Sequence, residues 1–142
     1  MRGSKPFKFV DTHLESFDNG QTRRDQAEDL VQPGGPAAGP GRVILVGDLN
    51  SDPNDNGATK LAYNALIDAG FLSRTPAGYK TSGINDELLV TGGPADFTRH
   101  IDHILTNKKS IKRLSSSIFG KAKVNGLFPS DHAGVLAKLR IP

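Results

Sequence analysis

Three short stretches of this chain hold residue types suited to hydrolysis: Gly47-Asp48-Leu49-Asn50-Ser51, Ile101-Asp102-His103-Ile104 and Ser130-Asp131-His132. A fourth, Thr12-His13-Leu14, adds an imidazole. Carboxylates hold hard divalent cations through oxygen, and they orient or deprotonate an attacking water. An imidazole next to a carboxylate has its pKa raised and its tautomer fixed, so it can donate to developing negative charge. A carboxamide such as Asn50 fixes geometry without adding charge. Attack on a phosphoester needs this set: a positioned water, neutralised non-bridging oxygens and help for the departing alkoxide. Each stretch alone is a weak signal. An Asp-Leu-Asn segment is commonly only a turn, and a lone strand histidine is commonly a satisfied structural partner. Their joint occurrence points to a metal-assisted hydrolytic site.

Regular elements must bring these residues together. Residues Pro6 to Leu14 alternate, with Phe7, Phe9, Asp11, His13 and Glu15 on one face and Lys8, Val10, Thr12 and Leu14 on the other. That is a strand with a polar end. Ala27, Leu30 and Val31 predict a short helix over 21–31. The Pro- and Gly-rich residues 32–41 read as a flexible linker. The β-branched run Arg42 to Val46 predicts a buried strand leading into Asp48. A helix is expected from about Ala58 to Ala69, capped by Asp55 or Asn56 and stopped by Gly70. Residues 72–98 read mostly as loop, with a short strand near Tyr79-Lys80-Thr81; strands are expected at 99–106, 111–119 and 134–141. By alternation along 99–106, His100 would point with Asp102 and His103 away from it. The order predicts an α/β fold with helices on one face of a sheet, and no second set of helices for the other face.

Composition narrows the classes. The 142 residues suit one domain, and 36% hydrophobic with 23% charged residues fits a globular chain. There is no Cys, which excludes disulfides and thiolate metal sites. No apolar run is long enough to span a membrane and Met1-Arg2-Gly3-Ser4 opens no signal peptide, so the default address is the cytoplasm. Residues 1–4 also look like a vector-derived leader. The net charge of +3 is mild, and the basic residues are dispersed without interleaved aromatics. That permits a phosphate-bearing substrate without demanding nucleic acid. Arg23, Arg24 and Arg99 read as surface or salt-bridging residues, with phosphate contact as the sharper alternative. Asp52 to Gly57 matches the first half of an EF-hand loop, but the twelfth position is Tyr63 where a bidentate Glu is required.

Taken in order, Thr-His-Leu-Glu, Gly-Asp-Leu-Asn-Ser, Ile-Asp-His and Ser-Asp-His-Ala-Gly resemble the endonuclease/exonuclease/phosphatase family, the DNase I-like metal-dependent phosphoesterases. The resemblance runs from about Phe7 to Leu139 and matches the C-terminal half of the family's domain. The family's N-terminal half, with its metal-binding Glu, has no counterpart within these residues. The resemblance implies half of a four-layered α/β/β/α sandwich, with one mostly antiparallel sheet. By residue, it implies Asp131 as a metal ligand and Asp48 as the group that orients or deprotonates water while touching a metal. Asn50 would fix that geometry, also beside the metal, and His132 would donate to a phosphoryl oxygen with Asp102 orienting it. His13 would be a second phosphate-facing histidine. The implied cofactor is Mg²⁺, with Mn²⁺ or Ca²⁺ as alternatives.

Two expectations follow from the half-domain. Glu15, on the same face as His13, is a candidate replacement metal ligand. The uncovered sheet face is expected to be closed by a homodimer, because large apolar faces are rarely left free. A phosphoester hydrolase acting on small molecules is the leading reading; a DNA-cleaving nuclease and a catalytically incomplete binding or assembly module are the alternatives.

Overall fold

The computed structural model describes residues 6–17 and 19–142; the candidate leader at residues 1–4 lies outside the described residues. Strand β1 spans Phe7–His13, helix α1 Gly20–Val31 and strand β2 Arg42–Asp48. A 3₁₀ turn at Ala58–Lys60 leads into helix α2, Leu61–Asp68. Strand β3 is Leu72–Ser73, helix α3 Asp86–Thr91, and strands β4, β5 and β6 are Asp102–Thr106, Lys112–Phe119 and Gly134–Arg140.

The strands form a four-stranded sheet in the order β1-β2-β4-β3 and a separate two-stranded ribbon, β5-β6, rather than a single sheet. Only β1 and β2 run parallel; the other pairings are antiparallel. Alternation along β2 sends Val43 and Leu45 to the helix side, where they pack with Leu14, Leu49 and Leu105 against Ala27 of α1 and Ala62 and Leu66 of α2. Each fully buried Leu here contributes about 1.5–3 kcal/mol. This core anchors the strand ends that carry the site.

Among the described residues, no helix lies over the other face of the sheet. Phe7 and Phe9 are 48% and 63% exposed. An apolar groove of about 540 Å³ lies along this face, lined by Phe9, Ile44, Val46 and Ile104 from the sheet and by Val135 and Leu136 from β6.

Several expectations are corrected. In the connection 32–41, Gly35 and Ala37 donate backbone hydrogen bonds to Gln32 and Leu30, and Ala37 is buried in the core. Neither Asp55 nor Asn56 caps the second helix, whose 3₁₀ entry begins after Gly57 without a side-chain cap. Asp55 instead accepts from its own loop at Gly57 and Thr59. Helix α3 lies within the region read as loop; Asn85 caps it through Leu88 N–H, and Asp86 and Glu87 sit in its first turn. The strand near Tyr79 is reduced to bridges that Ser82 makes with Arg99 and His132. A small second core of Ile84, Phe97, Phe128 and Ala133 holds this segment, with Phe97 and Phe128 edge to face at 5.4 Å.

Candidate active site

The site is a row across three strands. His13 of β1 is in register with Asp48 of β2, and Asp48 with Asp102 of β4. Residues in register on neighbouring strands project from the same face of the sheet, so the three side chains stand side by side. They end the same stripe that carries Phe7, Phe9, Ile44 and Val46, so the polar row continues the apolar outer face.

Gly47 makes this closeness possible. Its φ is +133°, and a Cβ there would lie 1.8 Å from the Thr12 carbonyl oxygen. No other residue type lets β1 and β2 pair this tightly at the turn. Beyond β2 the chain leaves the sheet through Leu49, whose N–H donates to the Ile101 carbonyl at 2.9 Å. Asn50 follows with φ +46°, a left-handed conformation that Asn tolerates better than most residues. Its backbone N–H donates to Asp48 Oδ1 at 2.7 Å. Its side-chain Nδ2 donates to the Leu14 carbonyl at 3.1 Å and lies 3.2 Å from His13 Nε2. Asn50 therefore holds both the carboxylate and the first imidazole.

His132 arrives from the segment before β6. The backbone N–H of Ala133 donates to the Thr81 carbonyl at 2.7 Å. His132 Nδ1 lies 3.0 and 3.2 Å from the two Asp102 oxygens. A carboxylate only accepts, so Nδ1 carries the proton and Nε2 is turned inward, 3.9 Å from Asp48 Oδ2. His13 Nε2 is 3.5 Å from the same oxygen. One carboxylate oxygen thus faces two imidazole nitrogens.

The electrostatics differ among the three central groups. Burial raises the Asp48 pKa and the Asp102 charge adds to it, against the Asn50 N–H and the two imidazoles. For Asp102, burial would raise the pKa, but the hydrogen bond and charge of His132 outweigh it and hold the value low. The Asp102 hydrogen bond raises the His132 pKa, opposed by burial and assisted by the charges of Asp102, Asp48 and Asp131. The arrangement favours an imidazolium at His132 and a basic carboxylate at Asp48.

One ligand atom each from Asp48, Asp102 and His132 lies within 4.8 Å of the others, the one such metal-capable group among the described residues. Two carboxylates suit a hard cation that prefers oxygen and keeps part of its water. A protonated His132 has no lone pair to offer, so the two carboxylates are fewer than the six donors such a cation takes, and the fit is to a part-site completed by water or further donors. Asp131, Asn50 and Glu15 were the other candidate ligands. Asp131 is exposed and accepts from Ser130 Oγ at 3.2 Å. Glu15 Oε1 accepts the N–H of Phe17 at 2.9 Å, tying down its own loop. Asn50 engages Leu14 and His13 through Nδ2, which leaves Oδ1 as the atom that would ligate a cation.

The arginines take structural roles. Arg23 is buried and donates to the carbonyls of Glu15 and Phe17, and Arg24 pairs with Glu28. His100 does not share the Asp102 face. Regular β4 starts only at Asp102, so alternation does not extend back to His100, which stacks on His103 with centroids 4.7 Å apart. Sequence reasoning missed Tyr79, whose hydroxyl donates to the Asp102 carbonyl, and Asp52, which accepts the His100 N–H at 2.8 Å. The one available signal was a lone tyrosine in the Thr-Pro-Ala-Gly-Tyr-Lys-Thr-Ser-Gly stretch, 75–83.

The sequence profile of the Endonuclease/Exonuclease/phosphatase family matches residues 5–132. The chain belongs to this family. No match is found among curated proteins. Among solved structures, a conserved protein of unknown function from Enterococcus faecalis aligns with TM-score 0.67 and 18% identity, over 98% of this chain and 52% of that one. A mannosyl-6-phosphatase of Bacteroides thetaiotaomicron aligns with TM-score 0.61 and 20% identity, over 94% and 51%. An endonuclease/exonuclease/phosphatase family protein from the same species aligns with TM-score 0.57 and 20% identity, over 92% and 48%. The chain therefore spans about half the length of these structures, consistent with a half-domain of their fold.

Proposed function

We propose that this chain is a divalent-metal-dependent phosphoester hydrolase acting on small phosphomonoesters or phosphodiesters by in-line attack of water. The observation that carries the reading is the convergence of His13 Nε2 and His132 Nε2 on Asp48 Oδ2, with Asp102 behind His132. In this reading Asp48 orients the water and takes its proton, a role favoured by its raised pKa. His132, protonated and held by Asp102, donates to a phosphoryl oxygen. His13 faces the phosphate from the other side and assists the leaving group. Asn50 keeps Asp48 and His13 in register.

Asp48 and Asp102 would hold the cation, Mg²⁺ in the first instance with Mn²⁺ or Ca²⁺ as alternatives, and Asp131 is a further candidate ligand. When bound, the cation would neutralise phosphoryl charge beside carboxylates that otherwise repel an anionic substrate. Dispersed basic residues favour small substrates over duplex DNA, and the mannosyl-6-phosphatase relative is in keeping with that.

The exposed Phe9 and Leu136 of the groove, with the exposed Phe7 on the same face of β1, support a second proposal. A second copy of the chain covers this face as a two-fold homodimer, burying upwards of about 1,200 Å². The test of function is a panel of an aryl phosphate, an aryl phosphodiester, a sugar phosphate and plasmid DNA, each with EDTA and with Mg²⁺, Mn²⁺ or Ca²⁺. Cation-dependent turnover of the small esters is expected. Turnover of DNA alone, falling steeply with salt, would favour the nuclease alternative, and no turnover would favour the binding module.

A further inference from the structure

Asp102 and His103 are neighbours on β4 and point to opposite faces of the sheet. Asp102 faces the site; His103 faces the helices and is 2% exposed. His103 Nε2 lies 2.9 Å from the Ser51 carbonyl oxygen. A carbonyl only accepts, so Nε2 carries the proton, and Nδ1 is left as a buried acceptor without a partner. Burying an imidazole with one orphan nitrogen is unfavourable compared with burying a phenyl ring of similar size. Filling space does not account for His103, but the bond to Ser51 does.

Ser51 is the exit of the turn that carries Asp48 and Asn50. Its hydroxyl donates to the Thr59 carbonyl and accepts the Tyr63 N–H at 2.9 Å, which ties it to the entry of α2. The ring of Tyr63 lies 4.8 Å from that of His103, and the His100 ring stacks on it at 4.7 Å. The imidazole is thereby clamped with its N–H aimed at the turn. The strand that presents Asp102 on one face thus fixes the Asp48 turn through the other.

We propose that His103 is a positioning residue for Asp48 and Asn50, acting through the Ser51 carbonyl, in the phosphoesterase reading above. Two kinds of variant separate this from a packing role. His103→Phe and His103→Leu remove the donor, whereas His103→Gln places an amide N–H close to where Nε2 stood. In the donor-less variants kcat is expected to fall about tenfold with KM within about twofold, the pattern of a lost transition-state alignment, and His103→Gln is expected to restore most of it. Wild-type kcat in the donor-less variants, or an equal loss in His103→Gln, would overturn the proposal.

A second readout does not depend on turnover. The Asn50 backbone N–H, bonded to Asp48 Oδ1 at 2.7 Å, should exchange with solvent about tenfold faster in the donor-less variants and near the wild-type rate in His103→Gln. Unchanged exchange in whichever donor-less variant folds would overturn the positioning role. A wild-type protein that hydrolyses no phosphoester would refute the functional reading alone, and the exchange rates would still decide the role of His103.

Discussion

Replacing Asp102 with Asn tests the electrostatic frame of the site. Asn keeps an oxygen acceptor for His132 Nδ1 but loses the charge. The bond it replaces is charge-assisted, at 3.0 Å, and such bonds contribute about 1.5–3 kcal/mol. Both side chains are partly open, 28% for His132 and 22% for Asp102, so solvent screening lowers that figure. Losing the Asp102 charge also relieves its repulsion of Asp48. The net cost should be about 1 kcal/mol, or a fall in Tm of about 3–5 °C.

The pH dependence of that cost is the sharper part. The folded pKa of His132 is raised above its ordinary 6.5, so its contribution is complete below that value and lost as pH rises through the folded pKa. The folded pKa of Asp102 is depressed below its ordinary 3.8, so its contribution is present above that value and lost as pH falls through the folded pKa. The pair therefore stabilises most between 3.8 and 6.5. Urea unfolding in EDTA at pH 5.5 and pH 8.5 would measure it. Asp102→Asn should be clearly less stable at the lower pH and close to wild type, or better, at the higher. Equal loss at both values, or no loss at pH 5.5, would refute the argument. Histidine NMR on the same samples should find the His132 pKa displaced toward the ordinary imidazole value, while His100 and His103, both pushed down to about 4 by burial, lose the raising effect of the Asp102 charge and move lower still.

Gly47→Ala should abolish folding or lower stability by more than about 3 kcal/mol, because its Cβ would meet the Thr12 carbonyl oxygen at 1.8 Å; circular dichroism melts would check this. Asn50→Gly relieves the positive φ that Asn50→Ala would strain, so the Gly variant should be the more stable of the two by about 1 kcal/mol, while both lose turnover with the His13 and Leu14 bonds. Phe9→Lys with Leu136→Lys should convert the proposed dimer to monomer in sedimentation experiments; a wild-type monomer would contradict the dimer.

Strands β1 and β2 were legible because their patterns are local. The Val43–Val46 run and the alternation of residues 6–14 mark β2 and β1 directly. Helix α3 was not, since six residues give too few turns for a period, and its one clear sign was Asn85 followed by two acids. Site residues could be selected as types, but the register that sets His13, Asp48 and Asp102 in one row is a property of pairing between strands. The split of the strands into a sheet and a ribbon also depends on distant contacts. His100 was misplaced because alternation was carried past the point where the strand begins. The stack of Tyr79, His100, His103 and Tyr63 beneath the site joins residues from three segments, and no spacing along the chain announces it.

Asp48 and His132 are proposed to carry out cation-dependent hydrolysis of a phosphoester. The most direct measurement is the initial rate of aryl phosphate hydrolysis against Mg²⁺ concentration, for wild type, Asp48→Asn and His132→Ala. The wild type should show saturable activation from a baseline near zero in EDTA, and each variant a loss of at least about 100-fold. Rates that are unaffected by EDTA, or that survive intact in either variant, would contradict the proposal.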